Sequence, residues 1–166
     1  SVNSGLNSRI IQAKCHPILH VDSKMNIVCA SCFTTNRIPD TKNHADAKCG
    51  KCQQPVYSSK PTALNDATFY PFIERNTLPV IVDFWASWCG PCQNMAPIFD
   101  AIAAQSPQLL FAKVETEHAQ QVSSDAGIRS IPTLIFFHQG QEIDRVSGGL
   151  SEPQLKQWIM QTMQKL

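Results

Sequence analysis

The chain has 166 residues, 43% of them hydrophobic, and a formal net charge of +1 at pH 7. This composition is sufficient for a hydrophobic core, gives no overall attraction to nucleic acid, and includes no run near the roughly 18 apolar residues of a membrane-spanning helix. The charge is uneven, because residues 1–61 carry eight Lys or Arg and three Asp or Glu, whereas residues 62–166 carry six and ten. The asymmetry predicts two units with different surfaces.

Cysteine usage narrows the class of protein further. Six of the seven cysteines form three pairs with CxxC spacing, and one is left over: Cys29/Cys32, Cys49/Cys52, Cys89/Cys92 and the single Cys15. Residues 1–24 contain no apolar block of about 7–15 residues like that of a secretory signal. We therefore expect a cytoplasmic protein whose cysteines are metal ligands or redox catalysts and not a structural disulfide framework.

Residues 1–24 are polar and show no periodicity, and the first organised pattern begins after Met25. We expect residues 1–24 to be a tag or vector-derived segment, with a disordered tail as the alternative. Cys15, His16 and His20 could together bind a metal, but their position in this segment argues against it.

Residues 25–57 form a short module with two CxxC pairs. Sixteen residues separate them, which fits the spacing of a four-thiolate zinc site: Cys29, Cys32, Cys49 and Cys52. A module this small has too little core to fold alone, so we expect one structural Zn²⁺ to stabilise it. Two disulfides or free thiols are the alternative. His44 could replace a ligand, but four cysteines complete the tetrahedron and we expect it to be exposed.

Residues 58–61 have the composition of a linker, and residues 62–166 alternate between helical and strand patterns. Four helices are predicted: residues 66–75, a segment that follows Cys92 and includes Ile102, residues 117–126, and a segment that begins at Ser151. Four strands are predicted over residues 80–86, 109–114, 133–137 and 142–146. Pro97 should kink the second helix. Ser151 and Gln154 match a capping box. The sum is an α/β domain with a sheet covered by helices.

The most informative motif is Trp88-Cys89-Gly90-Pro91-Cys92, between the strand pattern of residues 80–86 and a helix pattern. A cysteine at a helix N-terminus is favoured as a thiolate by unpaired N–H groups and the helix dipole. A thiolate is the species that attacks a disulfide. The motif therefore predicts dithiol–disulfide exchange, with a structural disulfide or half of a metal site as the alternatives.

The run from Phe84 to Cys92, together with Ile131-Pro132-Thr133, resembles the thioredoxin family over residues 62–166. The resemblance implies a thioredoxin fold, a central mixed sheet flanked by helices. It implies that Cys89 is the nucleophile and that Cys92 resolves the mixed disulfide.

Further site residues are implied by the same resemblance. Gly90 and Pro91 would hold the turn, and Trp88, with Trp85, would shield the disulfide. Pro132 would be cis, which exposes the backbone of Ile131 to a substrate strand. Core packing of the tryptophans is the alternative.

Asp83 lies within the apolar strand pattern, where burial of a carboxylate is costly and raises its pKa. Such a group could accept the proton of Cys92; a solvated or paired Asp at a strand end is the alternative. Lys113 resembles the lysine that faces this aspartate in thioredoxin, and a solvent-facing residue is its alternative. Gln93 departs from the basic residue found here in many thioredoxins. Gly148-Gly149 resembles the glycine-containing loop near the site.

The zinc-ribbon-like module resembles that of the thioredoxin-2 class, which precedes the thioredoxin fold. The resemblance implies a protein-disulfide reductase acting on oxidised proteins and re-reduced by an NADPH-dependent thioredoxin reductase. No tightly bound organic cofactor, no nucleic acid and a monomer are expected. The alternatives are a disulfide isomerase or oxidant, or a zinc-dependent interaction module with a redox-switch role.

Overall fold

A computed structural model describes residues 24–166. The expectation of a tag or disordered tail over residues 1–24 therefore lies outside the described residues, except for Lys24. Within the described part, no helix has both the length and the apolar character needed to cross a membrane.

The N-terminal module, residues 24–57 and hereafter the head, is built on a hairpin that the sequence did not predict. β1 (Lys24–Val28) runs antiparallel to β2 (Thr35–Pro39), with Lys24 opposite Pro39 and Val28 opposite Thr35. A 3₁₀ turn follows at His44–Asp46. The head has a small core of its own, formed by four apolar side chains and two of the cysteines: Ile27, Ile38, Ala47, Val56, Cys29 and Cys49.

Residues 62–166, hereafter the body, follow a short connection at residues 58–61 and contain a five-stranded mixed sheet with strand order β3-β5-β4-β6-β7. Its strands are β3 (Thr62–Leu64), β4 (Val80–Trp85), β5 (Leu110–Glu115), β6 (Thr133–His138) and β7 (Gln141–Ser147), and its helices are α1 (Phe69–Arg75), α2 (Gly90–Gln105), α3 (Gln120–Asp125) and α4 (Glu152–Met163). The first three strands in this order are parallel, and β6 and β7 are antiparallel to their neighbours. The predicted mixed sheet flanked by helices is confirmed.

Successive side chains of β4 point to opposite faces of the sheet and so divide the core in two. Val80, Val82 and Phe84 pack with residues of α1 and α3. Ile81 packs with residues of α2 and α4. Because both faces are covered, β4 is buried along nearly its whole length, as its continuous apolar run predicted.

Several element boundaries differ from the sequence prediction for local reasons. α1 begins at Phe69 and not at residue 66, because the side chain of Asn65 accepts the N–H groups of Ala67 and Thr68 in a preceding turn. The carboxylate of Asp66 instead accepts the N–H of Val122, 2.9 Å away. The capping box of Ser151 and Gln154 is confirmed, and α2 continues through Pro97 as one helix.

The head and the body are joined by buried polar contacts around Asn76, at the end of α1. The Asn76 side chain accepts the N–H of Val28 and donates to the carbonyl of Phe72, both at 2.7 Å. Asn26 donates its N–H to the hydroxyl of Thr77 and accepts the Thr77 N–H, both at 3.0 Å. Val28 itself packs in the core of the body. The two units therefore share one continuous interior.

Candidate active site and metal centre

Cys89 lies at the point where the chain leaves the sheet and enters α2. It is the N-cap of that helix, and its sulfur accepts the backbone N–H of Cys92 at 3.2 Å. The two cysteines are joined as a disulfide, with their Cα atoms 5.3 Å apart. Gly90 and Pro91 form the start of the helix, where proline loses no helical hydrogen bond. On reduction, the same N–H and the helix dipole are placed to stabilise a Cys89 thiolate.

The disulfide is nearly covered by protein. Cys89 and Cys92 are 4% and 2% exposed, and they pack with Ala86, Trp85 and Ile131. Trp88 is 68% exposed. Its ring N–H donates to the carboxylate of Glu117 at 2.6 Å, a contact that the sequence pattern did not indicate.

A cavity of about 370 Å³ is lined by Trp88, which precedes Cys89 in the chain, and by Ile131, which packs against the two cysteines. The Ile131–Pro132 peptide bond is cis, as the resemblance implied. The carbonyl of Ile131 is 3.8 Å from the sulfur of Cys89, and the carbonyl of Pro132 accepts the N–H of Gly148 at 2.8 Å. The cavity is therefore bounded by Trp88, the residue before Cys89, and by the loop before β6.

Two smaller expectations concern residues near this pair. The Gln93 side chain donates to the carbonyl of Ser87 at 2.6 Å, so the neutral residue closes the turn that carries Trp88. The glycine-containing loop does approach the site: a Cβ added to Gly149 would lie 3.7 Å from the side chain of Pro91.

Asp83 is 1% exposed, and its Oδ1 atom has no hydrogen-bond partner among residues 24–166. Burial raises the pKa of this carboxyl to about 7; Lys113 opposes the rise and Asp100 adds to it. Lys113 is the register partner of Asp83 on β5, as the resemblance implied, but its ammonium forms an ion pair with Asp100 at 3.3 Å. Sequence reasoning missed Asp100, although it lies eight residues after Cys92, two steps of i+4 along one helix face.

The four cysteines of the head converge although the sequence separates them into two pairs. Their sulfur atoms all lie within 4.8 Å of one another, with Cys29 to Cys52 at 3.7 Å and Cys32 to Cys49 at 3.6 Å. A tetrahedral zinc with Zn–S bonds of ~2.3 Å requires sulfur–sulfur edges of about 3.8 Å. The cluster therefore fits one zinc ion.

Hydrogen bonds around this cluster lower the pKa of Cys32 and Cys49, whereas burial and the three neighbouring thiols raise that of Cys52 to about 12. The N–H groups of Ser31 and Lys51 each donate to a cysteine sulfur at 3.4 Å. The pKa of Cys49 is lowered to about 6, mainly by the backbone N–H of Cys52 and then by the side chain of Asn36. His44 is not a member of the cluster, because its Nε2 atom lies 2.7 Å from the carbonyl of Pro107 on the body. Four thiolates without His44 are the donor set expected of a structural zinc site.

A disulfide at a helix N-terminus, beside a cis-proline and a substrate-sized cavity, defines a thiol–disulfide oxidoreductase. The family model described as Thioredoxin matches residues 60–161, and the one described as Thioredoxin 2, N-terminal, matches residues 28–54. The chain belongs to the thioredoxin family and carries the zinc-ribbon domain of its thioredoxin-2 branch.

Some individual relatives match most of this chain, and others match only a part of it. Thioredoxin C-3 from Corynebacterium nephridii is 43% identical over 141 residues, which cover 85% of this chain and 97% of that protein. Thioredoxin 1 from Synechococcus elongatus is 47% identical over 98 residues, covering 58% of this chain and 92% of its own length. The structure of Plasmodium falciparum thioredoxin superimposes with a TM-score of 0.57 at 32% identity, over 60% of this chain and 96% of that one. The match to the last two is thus limited to a part of this chain.

Proposed function

We propose that this protein is a monomeric, cytoplasmic protein-disulfide reductase whose Cys89–Cys92 disulfide is re-reduced by an NADPH-dependent thioredoxin reductase. The observation that carries the proposal is the position of Cys89, whose sulfur caps α2 and lies 3.8 Å from the carbonyl of Ile131, a residue that lines the cavity. The functional division that we propose is a zinc module at residues 25–57, a linker at 58–61 and a catalytic domain at 62–166. β1 begins one residue earlier, at Lys24.

The reaction passes two electrons from the protein dithiol to the substrate. The Cys89 thiolate attacks one sulfur of the substrate disulfide, forming a mixed disulfide and releasing the first substrate thiolate, which takes up a proton. Cys92 then loses its proton, attacks the sulfur of Cys89 and releases the second substrate thiol. The products are a reduced substrate and the intramolecular disulfide seen in the structure. The reductase returns two electrons from NADPH.

In this scheme Asp83 accepts the proton of Cys92. A carboxyl with a pKa of about 7 is matched to proton transfer near neutral pH. Lys113 tunes that carboxyl from the neighbouring strand, while Gly90 and Pro91 fix the spacing of the two sulfurs. Trp88 and Ile131 line the cavity, and the cis bond before Pro132 would expose the backbone of Ile131 to the substrate strand.

The head has a different task in this proposal. Its four cysteines would hold one structural Zn²⁺, which supplies four cross-links to a module with a very small core. Bound thiolates are unavailable for exchange, so Cys89 and Cys92 are the pair that cycles.

A second role, modulation of the body through oxidation of the head, is favoured by one observation: the buried contacts of Val28 with Asn76 link the two units. Oxidation of two thiolates by a peroxide would form a disulfide, reduce the peroxide to water or alcohol and release zinc. Zinc release measured with a chromogenic chelator during peroxide addition tests it. Activity that stays constant while zinc is released would contradict the modulating role.

The test of the main proposal is insulin disulfide reduction by the full-length protein with NADPH and thioredoxin reductase. Wild type should turn over, Cys89→Ser should be inactive, and Cys92→Ser should accumulate the mixed disulfide, detected by mass spectrometry. Zinc content, measured in parallel, should be the same in all three. A redox potential well above the cytosolic glutathione poise would favour the isomerase or oxidant alternative.

A further inference from the structure

Three ionisable side chains from three elements interact electrostatically, from the interior of the body to its surface. Asp83 on β4 is buried, Lys113 on β5 is its register partner, and Asp100 on α2 pairs with the Lys113 ammonium at 3.3 Å. Side-chain exposure increases from Asp83 outward, with 25% for Lys113 and 51% for Asp100. The single cation therefore lies between one buried and one exposed carboxyl group.

The strand on the other side of β4 places no ionisable group opposite Asp83. This strand, β6, places Leu134 there. The one ionisable residue of β6, His138, pairs with Gln141 at the far end of the strand. Lys113 and Asp100 are the two charges that act on the Asp83 carboxyl, with opposite signs.

We infer that Asp100 is a positioning residue for the redox reaction: it holds the Lys113 ammonium at the surface, so that the carboxyl of Asp83 keeps enough proton affinity to accept the proton of Cys92. Without Asp100, the flexible Lys113 side chain is free to turn toward its strand neighbour. An ammonium close to a buried carboxylate stabilises the charged form and makes it a weaker base.

The exposure of the ion pair supports a role other than stability. Pairs between exposed side chains contribute little to folding, because water and salt screen them and both side chains lose conformational freedom. An effect of Asp100 on the buried carboxyl is not limited in this way, since interactions with a buried group are screened much less. Loss of Asp100 should therefore alter titration of Asp83 while leaving the melting temperature almost unchanged.

The test is the carboxyl titration of Asp83 in the full-length oxidised protein, followed by ¹³C NMR in wild type and in Asp100→Asn. We expect the midpoint to fall by about half a pH unit or more in Asp100→Asn. Asp100→Glu keeps the charge and should restore the wild-type midpoint. Glu152→Gln removes a comparable exposed partner, that of Lys156 on α4, and should change nothing. An unchanged midpoint in Asp100→Asn, with the fold intact by its melting temperature, overturns the inference.

A double-mutant cycle with Lys113→Met separates positioning from a direct effect of the Asp100 charge. Lys113→Met should raise the midpoint, and in that background Asp100→Asn should have less than half of its effect in wild type. An equal effect in both backgrounds would mean that Asp100 acts directly, which overturns the positioning role.

The inference rests on the proposed role of Asp83, and one further measurement distinguishes the two. The acidic limb of the pH profile for release of a substrate mixed disulfide should move to lower pH in Asp100→Asn, by as much as the NMR midpoint. A shifted midpoint with an unshifted rate profile would support the positioning of Lys113 and contradict Asp83 as the proton acceptor.

Discussion

The same CxxC spacing serves two different purposes in the two regions of this chain. In the body, one pair stands alone at the start of α2 and forms a disulfide beside a cavity. In the head, two pairs face each other and bring four sulfurs within 4.8 Å. Spacing within a pair therefore does not determine whether cysteines exchange electrons or bind metal.

Backbone hydrogen bonds to sulfur do not distinguish the two regions either. The sulfur of Cys89 accepts an N–H at 3.2 Å, and those of Cys29 and Cys49 each accept one at 3.4 Å. The two regions differ in the groups that surround the sulfur atoms. The redox pair has a buried carboxyl, Asp83, on the strand that leads to it, whereas the head offers further thiolates. These surroundings support the proposed roles, metal binding by the four sulfurs of the head and redox cycling by the pair in the body.

The largest expected effect is a loss of activity, and it should distinguish the cysteines of the body from those of the head. Cys89→Ser should reduce turnover of insulin disulfide by about a thousandfold or more, because the thiolate is the nucleophile. Its zinc content should equal that of wild type. The mirror variant Cys49→Ser should lose zinc and keep turnover within several-fold of wild type. Comparable loss of turnover in both variants would show that the two sets are not separate.

Removal of zinc should affect the head far more than the body. Structural zinc in small modules contributes about 10–16 kcal/mol of apparent binding free energy at pH 7. After chelation, amides of residues 24–57 should lose protection from hydrogen exchange, while those of β4 keep most of theirs, and added zinc should restore the pattern. Full protection of residues 24–57 without metal would mean that the head does not depend on zinc.

A buried carboxyl should give the region around the redox pair a pH dependence of its own. The pKa of Asp83 is about 7 when folded against 3.8 as the ordinary value. Between these values the folded protein holds a proton that the unfolded chain has lost, so stability is full below pH 4, falls as pH rises to about 7 and is then constant. The difference is about 4 kcal/mol at ~1.4 kcal/mol per pH unit.

Asp83→Asn should therefore be more stable than wild type at pH 8, and that slope should disappear from its denaturation profile between pH 4 and 7. Glu152→Gln, an exposed control, should retain the wild-type slope. A slope that survives in Asp83→Asn would assign the effect to another group.

The smallest expected effect is a loss of stability, and it tests how much the contact between head and body contributes to folding. Asn76→Ala leaves the N–H of Val28 and the carbonyl of Phe72 without their buried partner, which should cost about 2 kcal/mol in urea denaturation. Asn94→Ala, on the exposed side of α2, should stay within about 0.5 kcal/mol of wild type. Equal stability of the two variants would indicate that the head adheres without Asn76.

The sequence predicted features that depend on neighbours along the chain. The capping box of Ser151 and Gln154 involves four consecutive residues, and the buried strand β4 corresponds to a nearly continuous apolar run in the sequence. The cis bond before Pro132 was predicted from the family resemblance, since most X–Pro bonds are trans.

Contacts between residues far apart in the sequence could not be predicted in this way. Asn76 reads as an ordinary polar residue after a helix, yet it is 1% exposed and bonds to Val28, 48 residues away. The pairing of Lys113 with Asp100 depends on where α2 crosses β5, which no local pattern encodes. The β1–β2 hairpin lacks a strict alternation, because only Ile27, Val28 and Ile38 of its ten residues are buried.

The placement of Val28 in the core of the body has a consequence for any attempt to engineer this protein. Truncation at Thr62 would not leave a domain with an intact core, because it would remove the side chains that the head contributes. It would also expose the ring of Phe72, which Phe33 of the head contacts edge-on. It would also leave the buried side-chain oxygen of Asn76 without its donor. Such a fragment should be prone to self-association. Grafting the head onto another thioredoxin would require the recipient surface to be rebuilt, with a cavity for Val28 and an amide in the place of Asn76.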